Sequence, residues 1–165
     1  MLLHQEGKPE GWTIEGCQIE DMSPLSELRV RAIMPSLKAV NRFEAIRVVQ
    51  RFSQDYHFQH TYKIMLDNYL AGFFMMREEN EFLYFPYFYI DPKFQASQLG
   101  ANVLENLIEK GLLMGKSVRI GALKGCQTEM FYRQQGLVCS HEDARDVYYE
   151  SRVEDLADRA QFECV

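Results

Sequence analysis

The segment Tyr89-Ile90-Asp91-Pro92-Lys93-Phe94-Gln95-Ala96-Ser97-Gln98-Leu99-Gly100-Ala101 is where this chain's residue types point most directly to chemistry. An aromatic, strand-like run ends at Asp91-Pro92, and a helical pattern begins among small residues near Gln98–Gly100. The first turn of a helix carries four backbone N–H groups without internal acceptors, and the helix dipole adds partial positive charge there. Ala96, Ser97, Gly100 and Ala101 are small enough to let an anion approach the main chain closely. On these residues alone, an ordinary strand-to-helix connection is the plainer account of the segment. The four cysteines (Cys17, Cys126, Cys139 and Cys164) stand far apart, with no C-x-x-C pair and no histidine at ligand spacing. They read as reduced thiols of an intracellular, cytoplasmic protein, and no metal site is expected.

Composition sets the limits on partners. The chain has 165 residues, 47% hydrophobic and 25% charged, which suits one globular domain with a sizeable core. Its net charge of −6 argues against a nucleic-acid binder that works by displacing counterions. No apolar run approaches the ~20 residues of a membrane helix, so no membrane partner is expected. The charge is uneven. Pro24–Arg51 holds six bases against two acids, and His141–Val165 holds eight acids against three bases. The basic stretch could attract an anionic or carboxylate-bearing ligand, or could be a solvated face paired with nearby acids.

The hydrophobic pattern supplies the elements. Residues 1–11 are polar and read as loose; Trp12–Ile19 alternates as a first strand. Ser23-Pro24 predicts a helix start, Pro35 a break, and a second helix from about Ser36 to Phe52 with Val40, Phe43, Ile46, Val48 and Val49 as its apolar face. Past His60 the period falls to about 2. Thr61–Leu66, Tyr69–Arg77 and Glu81–Ile90 then form a meander joined by turn residues. The third run is aromatic enough to be central, and Pro86 within it predicts a bulge. A helix to about Met114, a strand Ser117–Leu123, a short helix Gln127–Gln135 and a hairpin from Leu137 to Glu150 follow. The acidic tail 151–165 spaces Val153, Leu156, Ala157 and Ala160 on one helical side. The order βααβββαβαββ makes an α/β fold with a mixed, mostly antiparallel sheet flanked by helices.

Two motifs within this order resemble the GCN5-related N-acetyltransferases (GNAT superfamily). Gln95 and Gly100 match the ends of the family's [QR]-x-x-G-x-[GA] pattern after Asp-Pro, with Gln98 in place of its first glycine. Ala122–Leu137 is similar to the family's L-K-G-N-x-x-A-x-x-F-Y-x-x-x-G-F. Phe131, Tyr132 and Gly136 fit, while Cys126 replaces the common Asn and Leu137 the Phe. The resemblance covers residues 12–150 as one acetyltransferase domain.

What it implies is acetyl transfer from acetyl-CoA, as cosubstrate, to a primary amine of a small molecule or peptide by direct attack in a ternary complex. The cofactor would lie where the aromatic strand and the Ser117–Leu123 strand splay apart. Main chain at Phe88 and Ile90 would pair with the pantetheine arm, and N–H groups of Gln95, Ala96, Ser97, Gln98, Leu99, Gly100 and Ala101 would hold the pyrophosphate, with Cys126 also at the cofactor site. Tyr132 would protonate the leaving thiolate, since a phenol of pKa ~10 keeps its proton at neutral pH; a core aromatic is the plainer role for it. Candidates for the base are Tyr87 and Glu81, then Tyr84, His57 and His60, while His141 reads as surface. The departures at Gln98 and Cys126 keep a second reading open, a catalytically degenerate member that binds acyl-CoA or a protein partner. A homodimer is left open.

Overall fold

The structure, a computed structural model, describes residues 3–4, 11–38 and 40–152. They pack as two compact units, one reaching to Met76 and including Tyr87–Gly100, the other made of Arg77–Pro86 and the chain from Ala101. The tail pattern from Val153 onward, Cys164 and most of residues 1–10 lie outside the described residues.

In the first unit a short strand β1 (Leu3–His4) pairs antiparallel with β2 (Trp12–Gly16), an addition that the polar N-terminal sequence does not announce. β2 pairs with β3 (Thr61–Leu66), and β3 with β4 (Tyr69–Glu78), both antiparallel. The β3–β4 turn is Asp67-Asn68, both at positive φ (48° and 67°). That is the left-handed pair a two-residue hairpin requires, and Asn and Asp tolerate it best after glycine. β5 (Phe82–Ile90) contributes Tyr87–Ile90 to this unit. A Cβ at Gly72 of β4 would stand 2.5 Å from the Tyr89 carbonyl oxygen, so the two strands approach through a position only glycine can hold.

Two helices cover these strands, and both depart from the sequence pattern. α1 runs from Met22 to Leu37, after a 3-10 turn at Ile19–Asp21. It starts just before the expected Ser23-Pro24, and Pro24 still sits in the first turn, where a missing N–H costs nothing. Pro35 does not break it. A proline in the last turn forfeits only the bond to the Arg31 carbonyl, and the Lys38 N–H closes the end on the Met34 carbonyl at 3.2 Å. α2 is Arg42–Asp55, capped by Asn41, whose side chain accepts from the Glu44 N–H at 2.9 Å. Its buried face is Val48 and Phe52. Phe43 (67% exposed) and Ile46 (45%) face away, and Val40 (36%) precedes the helix, which corrects the apolar face expected for it. Phe52 joins Cys17, Leu25, Leu28, Phe73, Met75 and Tyr87 in one apolar core. Burial there pushes the Cys17 thiol up to about 12, so it is inert packing.

In the second unit Phe82–Phe85 of β5 pair in parallel with Ser117–Ile120 of β6 (Ser117–Leu123). β6 pairs antiparallel with β8 (Asp146–Glu150), and β8 with β7 (Val138–Glu142). β5 runs unbroken through Pro86, in place of the expected interruption. The effect of the proline shows in the ladder, which ends at Phe85 opposite Ile120. Parallel neighbours need a crossover, and α3 (Leu99–Leu113) supplies it before Gly115 (φ 70°) turns the chain into β6. α4 (Gln127–Gln134) follows β6. Strand pairs of described register are antiparallel except β5–β6, the mixed, mostly antiparallel α/β architecture expected.

Candidate functional site

The loop after β5 is built on Asp91. Its carboxylate is 4% exposed, and each oxygen has a partner. Oδ1 accepts from the Lys93 N–H at 3.1 Å and Oδ2 from Arg31 Nη2 of α1 at 2.8 Å. Burial alone would raise its pKa, but the Arg31 guanidinium and the Lys93 N–H outweigh that and hold it below the usual carboxylate range. The Asp91 N–H also donates to the Ala71 carbonyl at 2.8 Å, anchoring the loop to β4. A 3-10 turn (Pro92–Phe94) follows, and Gln95 reaches back so that its Nε2 donates to the Ile90 carbonyl at 3.0 Å.

The tip of the loop is open. Gln95, Ala96, Ser97 and Gln98 are all exposed, while Leu99 is buried as the first residue of α3. Ser97 acts as a local cap, with its Oγ donating to the Phe94 carbonyl at 2.5 Å and accepting from the Leu99 N–H at 3.3 Å. Among the described residues the N–H groups of Ala96, Gln98 and Gly100 have no acceptor. Main-chain donors at the start of a helix of this length suit a multiply charged anion such as a pyrophosphate. Gln98 does not obstruct them by strain, since among the described residues the only non-glycine positions at positive φ are Asp67 and Asn68. Its side chain is exposed and makes no hydrogen bond among the described residues. Phe88 and Ile90 are both buried in β5, and Ala101 is the first α3 residue of the second unit.

Sequence reasoning marked Asp91 only as the end of a strand and Arg31 only as one base of a basic stretch, and gave neither a place in the site. Asp before Pro at a strand end is a turn signal; nothing local marks its partner sixty residues earlier. The pair predicts an acid-sensitive contact. A depressed carboxylate pKa contributes stability above its unfolded value of ~3.9, lost as pH falls through the lower folded value. In Arg31→Ala the buried carboxylate loses its cation and its folded pKa is no longer held down, so the variant should be less stable than the parent at pH 7 and the gap should close as pH falls below about 4. Urea midpoints from pH 7 to pH 3 read this directly, and parallel curves for the two proteins would remove the pair from the account.

The candidate bases lie in different surroundings. Tyr87 is buried, and its hydroxyl donates to Asp55 Oδ2 at 2.6 Å. Burial and that hydrogen bond push its pKa well above the phenol range, against the downward pull of Arg29, so the group suits a donor better than a base. Glu81 is exposed and precedes the first residue of β5, whereas the loop follows the last. His57 and His60 are exposed, with ring centres 4.6 Å apart. The His141 ring stacks on Tyr148 at 4.5 Å, and Tyr84 is half-buried in β5 with its ring 6.5 Å from Tyr148.

In the second unit, Tyr132 of α4 is 1% exposed, with its ring 5.8 Å from that of Tyr149. Cys126 is half-buried at the N-cap of α4 and makes no side-chain cap bond. Glu129 takes up that work. One oxygen accepts from the Gly125 N–H at 2.6 Å and the other from the Tyr149 hydroxyl at 2.8 Å, so this residue fixes the start of the helix that carries Tyr132. Glu129 too escaped the sequence reading; an acid in the first turn of a helix is its only local signal.

Among the described residues there is no group of three His, Cys, Asp or Glu that could hold a metal ion. No helix among them is long and apolar enough to cross a membrane.

No protein-family model matches the chain, and no curated protein is similar to it in sequence. Solved structures do match. The PaiA N-acetyltransferase from Thermoplasma acidophilum, in complex with coenzyme A, aligns over 86% of this chain and 99% of its own, with TM-score 0.72 and 15% identity. A GNAT-family acetyltransferase from Listeria monocytogenes aligns over 92% and 99%, with TM-score 0.60 and 12% identity. The ribosomal-protein-S18-alanine N-acetyltransferase from Escherichia coli aligns over 84% and 90%, with TM-score 0.59 and 15% identity. This chain has the fold of the GNAT acetyltransferases.

Proposed function

We propose that the chain is an acetyl-CoA-dependent N-acetyltransferase that acts on a primary amine of a small molecule or peptide by direct attack in a ternary complex. The observation that carries the reading is the exposed loop Gln95–Gln98, with unused N–H donors at Ala96, Gln98 and Gly100, in a chain whose fold matches a coenzyme-A-bound acetyltransferase. Acetyl-CoA supplies an acyl group activated as a thioester. The residues present fit it: the donors are main-chain groups, and the nearest buried carboxylate, Asp91, is already neutralised by Arg31.

In this reading the N–H groups of Ala96, Gln98 and Gly100 hold the pyrophosphate, with Gln95, Ser97, Leu99 and Ala101 shaping the turn around them. The main chain at Phe88 and Ile90 takes the pantetheine arm, and Gln95 fixes the Ile90 carbonyl. Tyr132 gives its phenolic proton to the departing sulfur as the new C–N bond forms and the C–S bond breaks. Cys126 stands at the start of its helix. The acceptor must lose a proton before or during attack, and Glu81 and Tyr87 are the residues put forward for that, with Tyr87 the poorer choice for the reasons above.

Thermal unfolding with and without acetyl-CoA tests the first half. Ligand at 100 times its Kd should add about 2.7 kcal/mol of apparent stability. Gln98→Pro, which removes one donor N–H from the loop, should reduce that gain. No shift at millimolar acetyl-CoA would end the cofactor assignment. An acetyl-transfer screen across small and peptide amines then tests catalysis, and cofactor binding with no turnover on any amine would leave a binder only.

A further inference from the structure

The outward face of α2 has no function in the reading above. Phe43 and Ile46 lie one helical turn apart and are 67% and 45% exposed. Arg42 and Arg47 flank them, and the Arg47 guanidinium lies 5.5 Å from the centre of the Phe43 ring. Lys38 is exposed in the connection just before. Among the described residues Lys38, Arg42 and Arg47 have no carboxylate partner, and Glu44 is the one acid on this stretch of helix. An apolar pair ringed by three unpaired cations, on a helix whose other face already fills the core, is an interaction surface.

The chain contains a segment of the opposite character. Residues 153–165 (VEDLADRAQFECV) carry four acids against one base. Val153, Leu156, Ala157 and Ala160 recur at i, i+3, i+4 and i+7, with Phe162 and Val165 beyond. Arg152 is the last described residue. The thirteen residues after it can reach as far as about 43 Å when extended. We infer that the α2 face receives the 153–165 segment of a second copy of this chain. Its aliphatic residues lie against Phe43 and Ile46, and its carboxylates against Lys38, Arg42 and Arg47. A two-fold pair makes the contact twice and closes on itself, which gives a symmetric dimer rather than a chain of copies. Charge at the rim makes association salt-dependent.

The test uses full-length protein and two charge-reversed variants. One carries Arg42→Glu and Arg47→Glu, the other Asp155→Lys and Asp158→Lys. Sedimentation of the parent should show a dimer that dissociates on dilution and with added salt. Each variant alone sets like charges against each other and should associate at least tenfold more weakly. An equimolar mixture pairs each reversed face with a segment of opposite sign in both contacts and should recover the dimer. All substituted sites on α2 are exposed, and unchanged melting of each variant confirms intact folding. A parent that is monomeric at every concentration overturns the inference, as does a mixture that stays monomeric, the result expected if the segment folds back on its own chain. Parent binding to vesicles of anionic lipid, lost in the α2 variant but kept in the tail variant, would instead give this face to a membrane and equally overturn it.

Discussion

Tyr132→Phe is expected to lower kcat for acetyl transfer about 100-fold, the lower end of what a positioned proton donor contributes. That corresponds to about 2.7 kcal/mol of transition-state stabilisation. KM for acetyl-CoA should stay within about twofold, because the group acts as the sulfur departs and not when the thioester binds. The phenyl ring keeps the packing against Tyr149, so stability should fall by only about 1 kcal/mol. A second readout separates chemistry from packing. If the phenol is the acid, the loss falls on the single-turnover rate of acetyl transfer and is smaller for thioesters whose leaving thiolate is a weaker base. The competing role is a core aromatic, which the 1% exposure also suits. That role predicts a loss of stability with turnover intact. Unchanged kcat on a confirmed amine at neutral pH would remove Tyr132 from the reaction.

How far the fold could be read from the sequence depended on how local its causes are. Thr61–Leu66, Ser117–Leu123 and Asp146–Glu150 begin and end where alternation and turn residues place them. Asp67-Asn68 announces its hairpin because only a few residue types accept positive φ. The small residues between strand and helix mark the exposed connection there, but they do not by themselves choose between an anion site and an ordinary turn; only the motif resemblance makes that choice. The support of this connection was not legible. Asp91 is held by Arg31, and nothing in either neighbourhood specifies that two α1 residues, Arg29 and Arg31, take different fates. Arg31 reaches the loop. Arg29 is buried, bonded to the Val48 carbonyl at 2.8 Å, with its guanidinium carbon 5.0 Å from the Tyr87 ring centre and its Nε unpartnered. Pro35 was over-read because a proline's cost depends on how many turns follow it, and here the helix ends two residues later.

The largest loss of stability should come from Phe52→Ala, and its comparison with Phe43→Ala tests which face of α2 the core uses. Phe52 is fully buried, with its ring centre 5.3 Å from Tyr87, 5.4 Å from Phe73 and 5.8 Å from Tyr56. Truncating such a ring removes its transfer energy and leaves a cavity, a cost of about 3–5 kcal/mol. For a chain of this size the melting temperature should fall by about 10 °C. The loss should lie toward the upper end, because Phe52 also presents its ring to the buried Arg29 cation at 5.7 Å. Phe43 has the same side chain on the same helix, yet two-thirds of it is in water, and Phe43→Ala should change stability by less than about 0.5 kcal/mol. Sequence periodicity gives the two phenylalanines no separate meaning, since a helix with apolar residues around much of its circumference has no unique inner side. The burial of Phe52 with Leu28, Phe73 and Tyr87, and of Val48 with Ile33 and Leu37, decides it. Equal destabilisation by both substitutions would show that the core engages the Phe43 side as well. It would also remove the exposed face on which self-association through residues 153–165 depends.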